Sequence, residues 1–249
     1  MSKIQPFDLI SGSDVLFNDI CVLHQPSLDE IRNLGYEQYK VYVNTLFVDL
    51  DTYLEKSDIR DKIDEELLAK LTMFDIWFSE DRGRALLKEA LSFFIFGKLE
   101  EDLTHSVYLI YDALDNLTGF IDKTNYEDIQ NAIEQLNFIN SQEIKPKKFR
   151  NEAARKIYET IQKGKKEDAK TKKADPSMTL PNLIASVSSS HNSYNLINIW
   201  SLTVYQLYDQ FFRLNNKIQV DTMSLKWAAW GTDSFDFSLW YKDLNLKEK

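Results

Sequence analysis

The stretch Leu202-Thr203-Val204-Tyr205-Gln206-Leu207-Tyr208-Asp209-Gln210-Phe211-Phe212-Arg213-Leu214 reads as a capped helix. Thr203 can accept from the first free N–H groups, and Gln206, three residues on, can reach back to it as in a capping box. Leu202 and Leu207 stand where a hydrophobic staple closes on the first turn. Val204, Leu207, Tyr208, Phe211 and Leu214 fall on one helical face. An aromatic tail follows, with Trp227, Trp230, Phe235, Phe237, Trp240 and Tyr241. The block holds no catalytic group, and its rings are of the kind that anchor protein interfaces.

Working outward, composition agrees with helices. The chain has 249 residues, 43% of them hydrophobic, with only 7 Gly and 5 Pro. So few turn breakers favour long helices over a many-stranded sandwich. The single cysteine, Cys21, excludes an intrachain disulfide and suits a reducing compartment. No apolar run approaches the roughly 18 residues of a membrane span. The opening Met1-Ser2-Lys3-Ile4-Gln5-Pro6-Phe7 has no apolar signal-peptide core.

Charge is unevenly spread. Twelve Lys/Arg and four Asp/Glu lie between Lys145 and Lys173, so that segment carries +8 and the remainder −17. An acidic body disfavours nucleic acid and acidic membranes as partners.

Along the chain, Phe7–Ile10, Val15–Phe17 and Ile20–Leu23 read as two or three short strands around Ser11-Gly12-Ser13-Asp14. Ser27 and Glu30 have capping-box spacing, and the apolar residues from Leu28 to Leu54 keep helical spacing, with Gly35 as a break. Ile63 to Gly97 reads as helix interrupted at Asp81-Arg82-Gly83-Arg84, and the pattern resumes as far as Leu99. Val107–Tyr111 is open between strand and helix. Thr124 and Glu127 offer another capping box before Ile129, Ile133 and Leu136. Residues 152–162 suit a basic helix, and 165–176 a mobile linker. Leu180, Leu183, Ile184 and Val187 then mark a short amphipathic helix.

The expected fold is therefore mainly α: a multi-helix domain with a small N-terminal β element of two or three short strands, and a helical, aromatic-rich C-terminal part. The expected divisions are 1–144, 145–176 and 177–249.

Chemistry is sparse. Cys21 and His24 lack further ligands at zinc spacing. No Gly-x-Ser-x-Gly elbow and no Gly-rich phosphate loop occurs. The acidic runs at Asp61–Glu66 and Glu100–Asp102 suit solvated helix starts better than a metal centre. No catalytic residue, cofactor or metal ligand is assigned.

Two stretches carry a family resemblance. Ile20-Cys21-Val22-Leu23-His24-Gln25-Pro26-Ser27-Leu28-Asp29-Glu30-Ile31, continuing through Gly35 to Tyr39, resembles the opening of the tail assembly chaperones encoded beside the tape measure gene in phages of Gram-positive bacteria. The Thr203–Gln210 helix, preceded by a Lys-rich segment and followed by a Trp-containing tail, is similar to their C-terminal part. The resemblance implies a helical, non-enzymatic protein of the host bacterial cytoplasm. It would bind the tape measure protein and assist assembly of the tail tube, whose subunit is a second expected partner; self-association is left open. The expected partner-binding residues are Tyr205, Tyr208, Phe212, Trp227, Trp230 and Trp240. A minor structural tail or connector protein of the virion is the alternative.

Overall fold

The computed structural model describes residues 4–57, 64, 68, 70–138, 178–231 and 237–241. The expected basic helix and linker within 145–176 lie outside them.

The chain opens with a helix. Pro6 occupies the first turn of α1 (Pro6–Ser11), where its missing N–H costs nothing, and Gly12 ends it at φ 71°. Strands β1 (Val15–Phe17) and β2 (Cys21–Leu23) pair antiparallel, Leu16 opposite Val22. Asn18 and Asp19 both take positive φ in the turn between them, which these residue types tolerate. Ser27 then caps α2 (Leu28–Leu34) with its full capping box, and Gly35 at φ 96° separates α2 from α3 (Tyr36–Phe47). Asp49 caps α4 (Leu50–Lys56).

Thr72 and Asp75 form a second capping box at α5 (Met73–Ser79), and α6 (Asp81–Phe94) follows after Glu80. The interruption therefore falls at Glu80, and Gly83 lies inside α6, where a Cβ would meet the Trp77 carbonyl at 2.6 Å. Leu87, Ala90, Leu91 and Phe94 of α6 are fully covered. Two strands and a sharp bend come next. β3 (Ile95–Phe96) pairs with β2 and closes the first sheet, order β1-β2-β3. Gly97 (φ 124°) leads into β4 (Lys98–Asp102), which forms a meander with β5 (Val107–Tyr111) and β6 (Leu117–Ile121). The sheets meet where Gly119 faces the Ile20 carbonyl with no room for a side chain.

α7 (Tyr126–Leu136) starts one residue after Asn125; Thr124 does not cap it but bonds to Asp122. α8 (Leu180–Ser190) and α9 (Val204–Trp230) pack together, with a 3-10 turn at Ile199–Ser201 between them. One hydrophobic cluster runs from Ile4 to Leu207 and includes Leu23, Leu46, Tyr108, Ile129, Ile133 and Val187.

The expectation of a mainly α fold with one small β element is overturned. The fold is mixed α and β, with two three-stranded antiparallel sheets among the described residues. Three features mislead the reading. Lys98–Asp102 carries one apolar residue, Leu99, so it looks like a helix end until β5 pairs with it. Leu117–Ile121 is only five residues long, too short for periodicity to declare itself. Phe7–Ile10 alternates poorly, and Pro6 starts a helix there instead of a strand.

Candidate protein-binding surface

The base of α9 is held by two capping boxes set side by side. Thr203 accepts from the Gln206 N–H at 3.2 Å, and Gln206 returns to the Thr203 N–H at 2.9 Å. Ser27 and Glu30 do the same for α2, with the Glu30 carboxylate accepting from the Ser27 N–H at 2.7 Å. Ser27 and Thr203 form an antiparallel bridge, and the Leu28 N–H donates to the Leu202 carbonyl at 2.8 Å. The Gln206 amide also donates to the Ile10 carbonyl at 2.8 Å, so α1 is tied to the same point.

His24 completes this hub. Its Nδ1 lies 2.8 Å from Asp14 and its Nε2 3.0 Å from Glu30. Burial opposes the imidazolium, but the hydrogen bonds to the two carboxylates outweigh it and raise the His24 pKa above its ordinary value. Burial likewise opposes the charged Glu30, and its bonds from Ser27 and His24 bring its pKa below the usual carboxylate range.

The six aromatic candidates divide along the helix. Tyr205 is buried. Phe138, at the end of α7, places its ring 5.3 Å from those of Tyr205 and Tyr208 and 5.4 Å from Phe212. These three rings thus join α9 to α7. Tyr208 is half-buried, and its hydroxyl is held neutral above the usual range, mainly by burial.

Beyond Phe212 the described residues cover the helix less. Asp209 is buried and paired with Arg213, Nε to Oδ2 at 2.7 Å. From there to Trp230 only Val220 is fully covered among the described residues. Trp227 is 53% and Trp230 71% exposed. Gly231 (φ 58°) caps the helix, and a 3-10 turn at Phe237–Tyr241 packs back on α9, with the Lys217 ammonium 5.9 Å from the Trp240 ring. Trp240 itself is 51% exposed. The structure therefore leaves Trp227 and Trp230, on the distal part of α9, and Trp240, on the 3-10 turn packed against α9, exposed and apart from the ring stack at the helix base. Ile218, Met223 and Leu225, on the same stretch of α9, are also exposed. The apolar spacing of the first thirteen residues, continued past Leu214, would have found Ile218 and Leu225.

A second apolar feature lay outside the sequence reading. Leu16, Val22 and Phe96 form one cross-strand row, and Leu16 and Phe96 are exposed. Only strand register reveals it.

A depression of about 550 Å³ opens between α3 and α6, where the Tyr42 hydroxyl lies 3.4 Å from Glu89 and Lys88 lies 3.7 Å from Glu101. Among the described residues no group of three or more His, Cys, Asp or Glu is placed to hold a metal ion. Among them, too, no helix is long and apolar enough to cross a membrane.

Against known proteins, a family model described as the YomV second domain matches residues 169–245. The matched span takes in α8, α9 and the Phe237–Tyr241 turn. It is a domain of phage type, which suggests a phage protein without singling out a tail assembly chaperone. No curated protein and no solved structure matches the chain.

Proposed function

We propose that this is a non-enzymatic phage tail assembly chaperone. It binds the tape measure protein through the α9 arm and assists tail tube assembly in the host cytoplasm. The observation that carries the reading is the exposure of Trp227 and Trp230 on the distal part of α9 and of Trp240 on the 3-10 turn packed against it. Amphipathic helices of a long tail protein are suited to such a surface, since an apolar helix face seeks an apolar groove or ridge. The acidic remainder of the chain, −17 outside the Lys145–Lys173 segment, keeps a protein that displays tryptophans soluble. The phage-type match over 169–245 supports the setting.

Co-expression with a tape measure protein from the same phage genome is the test. Copurification and improved solubility are expected for the wild type, and loss of both for a Trp227→Ala/Trp230→Ala variant. Copurification unchanged by that variant refutes the arm as the binding surface; no complex at all refutes the chaperone reading. Mass spectrometry of purified virions separates it from a structural tail role. The chaperone is expected to be absent, and presence at stoichiometric level would establish the structural role instead.

A further inference from the structure

His24 is gripped from three separate parts of the chain. Its backbone N–H donates to the Phe94 carbonyl at 2.8 Å, which fixes it against the end of α6. Its ring stands between two carboxylates: Asp14, in the turn between α1 and β1, on the Nδ1 side, and Glu30, in the first turn of α2, on the Nε2 side. These two are the charged groups that act on the ring; β3 and α9 bring none to it among the described residues. Only the doubly protonated ring satisfies both carboxylates, because neutral imidazole has one N–H and one lone pair.

The two carboxylates are not equally supported. Glu30 Oε2 also accepts from the Ser27 N–H and from the Ser27 hydroxyl, both at 2.7 Å, so the capping box sets its position. Among the described residues Asp14 has no hydrogen bond or ion pair other than the one to His24. Exposure does not separate them, at 41% for Asp14 and 48% for Glu30; the capping box does.

We propose that His24 is a proton-operated clasp on the turn between α1 and β1: when the ring gives one proton to solvent, it keeps the bond from Nε2 to Glu30 and lets go of Asp14. The proton leaves Nδ1, whose lone pair then faces a carboxylate oxygen at 2.8 Å; two acceptors repel, and Asp14 turns out to water. Hydrogen bonds to the carboxylates raise the His24 pKa above its ordinary 6.5, so the clasp is shut below the folded value and opens as pH rises through it.

The opening is confined to one side of the hub. Gln25 still donates to the Ser13 carbonyl at 2.6 Å and Val15 still pairs with Leu23, so the turn loosens without β1 detaching. What that turn touches is the base of α9. A Cβ on Gly12 would lie 2.7 Å from the Gln206 amide and 3.2 Å from the Thr203 methyl group, and the Ile10 carbonyl accepts from Gln206. Proton loss at His24 therefore slackens the α1 side of the α9 capping box while the Ser27–Glu30 box stays closed. The clasp needs no tail protein, so it stands apart from the chaperone reading.

Two measurements on the full chain test it. Proton–nitrogen correlation spectra of the wild type, recorded from about pH 6 to 9 and assigned with His24→Gln, report which ring nitrogen keeps its proton. Nε2 is expected to keep it. Hydrogen exchange, corrected for the intrinsic effect of pH, is expected to quicken roughly threefold to fivefold in residues 10–17 across the same transition, as for the loss of one partly exposed charged bond, and to stay constant in 27–34. Asp14→Asn should remove the transition from 10–17. A neutral ring protonated at Nδ1 overturns the proposal. So does exchange that opens 27–34 instead, or that ignores the transition in 10–17. The tautomer is read on unaltered protein, so the outcome does not depend on a variant folding.

Discussion

Replacing His24 by Gln tests whether the imidazolium holds the hub at the base of α9. Both ring nitrogens face carboxylates, Asp14 at 2.8 Å and Glu30 at 3.0 Å, so both must carry protons for both bonds to exist. A charge-assisted bond contributes about 1.5–3 kcal/mol when buried, but these carboxylates are 41% and 48% exposed and solvent screens them; about 1–2 kcal/mol for the pair of bonds is the expected total. The His24 pKa is raised above 6.5 on folding, so its contribution is complete below that value and is lost as pH rises through the folded pKa. The Glu30 pKa is lowered below 4.5, so its contribution is present above that value and is lost as pH falls through the folded pKa. The stability difference between wild type and His24→Gln should therefore be largest at about pH 5–6 and shrink above neutrality. Urea unfolding of both proteins at matched ionic strength, across that range, measures it. A difference that stays flat into the alkaline range would show that a charged His24 is not what joins β2, α2 and the turn before β1.

The arm and the core predict opposite behaviours. Leu207→Ala empties a fully buried position at the base of α9 and should cost about 2–5 kcal/mol in denaturant unfolding. Trp230→Ala, on a 71% exposed ring, should leave stability within about 0.5 kcal/mol while weakening tape measure binding. Arg213→Ala removes the partner of buried Asp209, and a loss of about 3 kcal/mol is expected, largely recovered by adding Asp209→Asn. Gly119→Ala should prevent the sheets from closing, because its methyl group overlaps the Ile20 carbonyl; loss of soluble protein or a markedly lowered melting temperature checks this.

Helix ends were legible because capping is local. Ser27 with Glu30 and Thr203 with Gln206 lie three residues apart in sequence, and both boxes form. Where the partner is distant, the local signal fails. Thr124 and Glu127 have the same spacing, yet Thr124 is drawn to Asp122 and the helix begins beyond it. β4 and β6 exist because β5 lies between them, and nothing within Lys98–Asp102 or Leu117–Ile121 declares that neighbour. The tryptophans of the candidate surface could be named from the sequence, but their separation from Tyr205, Tyr208 and Phe212 could not. That separation depends on Phe138, which lies 67 residues upstream of Tyr205 in the sequence and stacks on the base of the helix.

The anchorage at its base decides how α9 presents the exposed residues beyond it. Its first turns are fixed on several sides: by the Thr203 box, the Ser27 bridge, the Gln206 bond to Ile10 and the Phe138 stack. A helix of 27 residues is about 40 Å long, so clamping its first third sets the direction of everything beyond. An arm aimed in this way presents its apolar faces already ordered, and a partner that docks on it forfeits little conformational entropy on the arm's side. Loosening the base, for instance by deprotonating His24, should therefore weaken binding at the tip through lost order, with no contact to the partner removed.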